Sequence, residues 1–264
     1  LGGFPAAYAE TQAEYMASGK ATEQEKLVAG CPEYAFNEYL QIGLEQGLVG
    51  LALFIGWLGL LFYKGIKNKR YACCGGLMSL AIFAFSSYPL QLPEFWVVLI
   101  FLGVMSVTPD KDEIRENQAE SNGHRWGKQI FFMGIAILGI GLFWMQKDHY
   151  KAYQQWNKAQ MFYNNKAYEA ALEVYEPLYP LLKHKPEFLF EAAQSLSKTG
   201  QYEKANEYLE RAVLLSSDPM LYYVMAKNEQ CLGEYRQAEK HLLHAIDILP
   251  ERIYPYYLLS LIHI

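Results

Sequence analysis

Positive charge is in short supply in this sequence. Lys and Arg number 23 against 28 Asp and Glu, the net charge is −5, and no arginine precedes Arg70. A nucleic-acid binder would carry a basic patch, so nucleic acid is not an expected partner. Cysteine is also scarce: Cys73 and Cys74 sit side by side in an apolar run, and Cys31 and Cys231 stand alone. None has the spacing of a metal ligand, so all four read as packing thiols, and neither metal nor cofactor is expected. The start of the chain lacks the succession of basic, apolar and small residues that makes a signal peptide. It begins at Leu1 rather than Met and reads as a piece of a longer protein.

What the chain does contain is divided between two unlike halves. Mean hydropathy is near neutral, −0.05, but almost all long apolar runs precede Met145. Four stand out, at about Gly47–Tyr63, Ala72–Leu90, Leu92–Val107 and Ile130–Met145. Each is near the lower end of the roughly 17–25 residues that cross a bilayer as a helix. Burying four such runs in a soluble protein would need a very large core. The expectation is therefore four transmembrane helices over 47–145.

The loops give an orientation. Lys64, Lys67, Lys69 and Arg70 follow the first run, while Gln91–Glu94 has no Lys or Arg. Lys111, Arg115, Arg125 and Lys128 follow the third run. By the positive-inside rule the first and third loops face the cytoplasm, which puts 1–46 and 146–264 outside. Trp57, Tyr63, Tyr88, Trp96, Trp126 and Trp144 lie where such runs would meet the membrane boundary, and they would equally serve as packing groups between helices.

The second half repeats itself. Ala159, Ala193 and Ala226 are 33 or 34 residues apart, as are Tyr168, Tyr202 and Tyr235, then Ala171, Ala205 and Ala238, and finally Leu178, Ala212 and Ala245. Gly200 and Gly233 mark tight turns two residues before their tyrosines, and Lys166 stands where the first repeat should have its glycine. This period, with small residues at helix crossings, resembles the tetratricopeptide repeat. Three repeats fall at about 154–186, 187–219 and 220–252, and a fourth begins at Arg252. Such arrays bind extended peptides or proteins in a concave groove, so a protein partner is expected there.

The segment before the first run is acidic, with Glu10, Glu14, Glu23, Glu25, Glu33 and Glu38 against Lys20 and Lys26. Short helices are predicted over Tyr8–Met16 and Thr22–Val28, with glycines supplying the turns. It ends in Phe36-Asn37-Glu38-Tyr39-Leu40, then Glu45, Gly47 and Gly50 at the start of the apolar run. This string resembles the signature of the O-antigen ligase and polymerase family, and Gly2-Gly3-Phe4 with Tyr8 resembles that family's upstream glycine element. The resemblance covers about residues 1–107. It implies a bacterial inner-membrane protein with its repeats in the periplasm. The implied activity moves a glycan from an undecaprenyl pyrophosphate carrier to a hydroxyl of lipid A core, another glycan or a protein. Phe36 occupies the family's histidine position and cannot take a proton. Asn37 and Glu38 are then the candidate catalytic residues, with Tyr39 and Glu45 as candidate substrate-binding residues. A buried Glu38 could serve as base, or it could simply sit at the helix start, where the dipole favours a carboxylate. The family's pyrophosphate-binding arginines are not in the outer segment. The other reading is a non-catalytic membrane-anchored tetratricopeptide scaffold for envelope or polysaccharide assembly. In either case the fold class is all-α.

Overall fold

The computed structural model describes residues 3–109 and 146–262, with isolated positions between 133 and 144. In chain order the helices are α1 (Phe4–Ala17), α2 (Glu23–Val28), α3 (Glu38–Lys67), α4 (Tyr71–Ser86), α5 (Pro93–Val107), α6 (Lys147–Asn164), α7 (Tyr168–Leu182), α8 (Pro186–Lys198), α9 (Tyr202–Val213), α10 (Met220–Leu232), α11 (Tyr235–Ile248) and α12 (Ile253–Ile262). A 3-10 turn, Pro89–Gln91, joins α4 to α5. Among the described residues the fold is all-α. The chain divides into two units, one of 34–144 and one joining 1–33 to 145–264.

In the unit 34–144, α3, α4 and α5 run up, down and up. Their shared core is Leu61, Leu77 and Leu99. Close approach depends on small residues. A Cβ on Gly65 would stand 2.5 Å from Cys74 Sγ, and one on Gly76 would stand 2.9 Å from Leu102 Cδ1. Gly47 breaks α3 with φ 74° and ψ 178°, a backbone conformation open essentially to glycine alone. The stretch after it, Leu48–Lys67, measures about 30 Å at 1.5 Å per residue, the thickness of a bilayer core.

The expectation of four spanning helices is reduced here. Only α3 is long and apolar enough to cross a membrane among the described residues. Helices α4 and α5 have 16 and 15 residues. The run Ala72–Leu90 is cut at Ser86 because Pro89 has no N–H to give and disfavours helix in the residue before it. The fourth run, Ile130–Met145, is described only at isolated positions, and the basic residues Lys111, Arg115, Arg125 and Lys128 lie outside the described residues.

In the other unit, α6–α7, α8–α9 and α10–α11 form three helix pairs, and α12 supplies the first helix of a fourth. Ala159, Ala193 and Ala226 on the first helices, and Ala171, Ala205 and Ala238 on the second, are fully buried. Each pair closes with the same hydrogen bond: Ala167 N–H to Phe162 O (2.9 Å), Gln201 N–H to Leu196 O (2.9 Å) and Glu234 N–H to Glu229 O (2.8 Å). This closure places one residue in the left-handed region. Gly200 and Gly233 hold φ 81° there, and Lys166 is forced to φ 60°. The repeat periodicity read from the sequence thus becomes a tetratricopeptide-type solenoid.

Residues 3–33 belong to this same unit. Helix α2 starts with a capping box in which Thr22 and Glu25 satisfy each other's backbone N–H groups. Helix α1 packs Ala9 and Ala13 against Ile248 and Leu249. Gln12 fixes it there, donating through Nε2 to Ile248 O (2.8 Å) and Gly30 O (3.1 Å).

Candidate functional site

Two sets of side chains are candidates, one in each unit. The first is the signature before Gly47. Asn37 caps α3: its Oδ1 accepts from Leu40 N–H (3.0 Å), and its Nδ2 donates to Phe85 O (2.9 Å). Glu38 is 1% exposed, and its Oε1 accepts from Leu90 N–H (2.8 Å). Tyr39 donates from its hydroxyl to Ala81 O (2.9 Å). Gln41, equally buried, accepts from Ala35 N–H (2.8 Å) and donates to the Glu45 carboxylate one turn on.

The structure therefore brings Asn37, Glu38 and Tyr39 together, with each side chain spent on backbone of α4 or of the turn after it. The amide meets Phe85 O, one of the last carbonyls of α4, and the carboxylate meets an N–H of the turn that follows, groups that helix ends leave without partners, while the phenol adds a bond to Ala81 O one turn earlier. Phe36 points outward, 67% exposed, with its ring edge-on to Tyr88 at 5.4 Å, while Tyr34 stacks on the same ring at 5.6 Å. Glu45 takes its hydrogen bond from Gln41, and its charge acts on Glu38. At the opposite end of this bundle, Asn68 Nδ2 donates to Ser106 O (3.0 Å) and Val107 O (3.1 Å). Polar staples thus close both ends.

The second set lies on the first helices of the repeats. Contact persists from α6 to α8 and from α8 to α10, so these helices form one continuous row. Counting from the buried alanines, Trp156, Phe190 and Tyr223 are equivalent, as are Gln160, Gln194 and Lys227, and Tyr163, Ser197 and Gln230. Between the first two repeats the polar groups of this row pair across the junction. Glu191 accepts from Trp156 Nε1 (2.7 Å), Gln160 Nε2 (2.8 Å) and the Tyr175 hydroxyl (2.9 Å), and Tyr163 donates to Gln194. Burial, and then the Glu191 charge, push the Tyr175 phenol far above its ordinary range.

The last junction differs. The repeat equivalents of Glu191 and Gln194 in α12 are Leu258 and Leu261, which accept nothing. Accordingly, the Tyr223 hydroxyl and Gln230 Nε2 are buried without a hydrogen-bond partner. Inspection of the sequence for small residues and turns overlooked this row. The same period, applied to the aromatic three residues before each alanine, would have found it. Among the described residues no cluster of His, Cys, Asp and Glu is placed to hold a metal ion.

A protein-family profile described as "Anaphase-promoting complex, cyclosome, subunit 3" matches residues 164–245, within the repeats. No curated protein matches the chain. Solved structures that resemble it include the Yersinia enterocolitica type III secretion translocator chaperone SycD, 21% identical, covering 42% of this chain and 91% of its own, with a TM-score of 0.38. The second tetratricopeptide domain of human RPAP3, solved with an HSP70 peptide, is 20% identical and covers 44% of this chain and 98% of its own, with a TM-score of 0.41. The Sgt2 tetratricopeptide domain of Aspergillus fumigatus is 18% identical and covers 43% and 77%, with a TM-score of 0.38. The family match lies within the helix-pair repeats of 146–262, whose period and closure are of the tetratricopeptide type. None of these comparisons touches the O-antigen ligase signature.

Proposed function

We propose that this chain is a membrane-anchored tetratricopeptide scaffold that holds a protein partner along the first helices of its repeats. The observation that carries this reading is the row itself, with Trp156, Phe190 and Tyr223, then Gln160, Gln194 and Lys227, at matching places in successive repeats. Stacked helix pairs offer an extended surface. Aromatic and amide side chains on rigid helices add contact area and hydrogen bonds at small entropic cost.

The anchor is the exterior of α3, α4 and α5. Leu48, Val49, Leu53, Ile82, Phe101 and Val104 are all more than half exposed there. In water these would form an apolar patch far larger than a soluble monomer carries, whereas lipid covers such a surface without cost. The Lys64–Arg70 turn then faces the cytoplasm, and the reading places the repeats in the periplasm of a bacterial inner membrane.

The test is a photo-crosslinking residue introduced at Lys227 or Tyr153, on the row, and at Glu173 or Glu207, on second helices, in the full chain expressed in membranes. The expected result is one common adduct from both row positions and none from the others. Equal labelling from all four positions, or from none, overturns the scaffold reading.

The second reading, glycan transfer from undecaprenyl pyrophosphate, draws support from the meeting of Asn37, Glu38 and Tyr39 at one end of the α3–α5 bundle. Its test is expression of the full-length protein in cells lacking their own ligase, with Glu38→Ala and Phe36→His beside the wild type. Glycan transfer that depends on Glu38 favours this reading, and absence of transfer in all three removes it.

A further inference from the structure

A cleft of about 750 Å³ opens on the repeat unit between the start of α10, the turn leading into α12, and residues 31–33. Ser217 helps define it, donating from Oγ to Pro32 O at 3.3 Å. Three carboxylates line it, from Glu33, Asp218 and Glu251, against a single cation, Arg252. Asp218 spends one oxygen on Met220 N–H (2.9 Å) at the start of α10. The side walls are apolar, from Met220, Leu249, Ile253 and the Tyr254 ring.

At its base lies Tyr223, 4% exposed, whose hydroxyl has no hydrogen-bond partner. Tyr223 is one of the residues lining the cleft, and the charges of Arg252 and Asp218, which line it too, act on this hydroxyl. A buried hydroxyl without a partner is costly. Its repeat equivalents, Trp156 and Phe190, are respectively paired and apolar.

We propose that this cleft receives a lysine or arginine side chain from an extended segment of the protein partner. The carboxylate excess attracts the cationic head. The apolar walls accept the aliphatic stem, as long basic side chains require, and the Tyr254 face adds a cation–π contact. With a small movement of its ring, the Tyr223 hydroxyl, closed off as it stands, donates to a peptide carbonyl of the same segment, which gives it the partner it lacks. The inference rests on the scaffold reading and sharpens it by naming the chemistry that the row's last junction selects.

The test uses the full chain in detergent micelles with 13C-methyl methionine, the Met220 signal being assigned through Met220→Leu. The probe is the capped peptide acetyl-Gly-Lys-Gly-amide, compared with its norleucine and glutamate counterparts. The expected result is a saturable shift of the Met220 methyl with the lysine probe only, weakened by added salt as an exposed charge interaction should be. Combining Glu33→Gln with Glu251→Gln should weaken binding about tenfold, and Tyr223→Phe about threefold without lowering the melting temperature. Equal response to the norleucine probe, a preference for glutamate, an unmoved Met220 signal, or an unchanged double variant each overturns the proposal. Lys227 and Tyr153, which carry the crosslinks, are not among the residues that line the cleft. Adducts there with no Met220 response would remove the cleft site alone and leave the scaffold reading standing.

Discussion

Lys166 holds φ at 60° in the turn where Gly200 and Gly233 hold 81°. A side chain in the left-handed region costs about 1 kcal/mol relative to glycine. Lys166→Gly should therefore raise the stability of the repeats by about 1 kcal/mol, and Gly200→Ala should lower it by a similar amount, both read from thermal unfolding. No atom lies within 4 Å of a Cβ built at Gly200, so backbone conformation alone sets that loss. Glu191 is the opposite case, a half-buried carboxylate holding three donors from two other helices. Glu191→Ala leaves those donors unmatched and should cost about 2–4 kcal/mol by the same measurement. The lysine in the turn was legible in the sequence because the repeat period pointed at it. Glu191 was not, because its partners lie on two other helices, 16 to 35 residues away in sequence.

The elements of the 34–144 unit meet through glycine and through side chains that bond to backbone. Gly65→Val would drive a branched side chain into Cys74 and Ser106. Its expected cost is about 1–3 kcal/mol, seen as a lower unfolding temperature in detergent. Asn37→Ala removes the cap of α3 and the bond to Phe85 O together, with an expected loss of about 1–2 kcal/mol. The apolar runs gave away three of these helices in the sequence, since long stretches without charge have few alternatives. Their ends were harder to read. Helix α3 begins at Glu38 and carries its break at Gly47, whereas hydropathy alone marks only where the apolar residues begin. The polar residues Asn37, Glu38 and Tyr39 drew notice through a family string. Their hydrogen bonds to Phe85, Leu90 and Ala81 depend on α4 folding back, which no local pattern announces. Helix α1 likewise showed its helical character, but its seat on α11 is a contact across more than two hundred residues of sequence.

At the scale of the whole repeat unit, buried phenols set a response to alkali. Burial pushes Tyr208 and Tyr223 up to about 12, and Tyr175 further still. The folded pKa lies above the unfolded value near 10, so the folded state keeps protons that the unfolded state releases. Stability should be level below about pH 10 and fall as pH rises from there toward about 12. Melting followed by circular dichroism across that window checks this, and combining Tyr208→Phe with Tyr223→Phe should flatten the slope.

Two weak places flank α8 and α9: the strained turn after α6, and the α10–α12 junction with its two unmatched donors. In a solenoid each repeat leans only on its neighbours, so opening should begin at these two places and reach α8 and α9 last. Amide hydrogen exchange should then be slowest in those two helices. A partner lying along the row would be gripped by the stiff stretch around α8 and met by yielding helices on either side, and its binding should slow exchange most in α6 and α12.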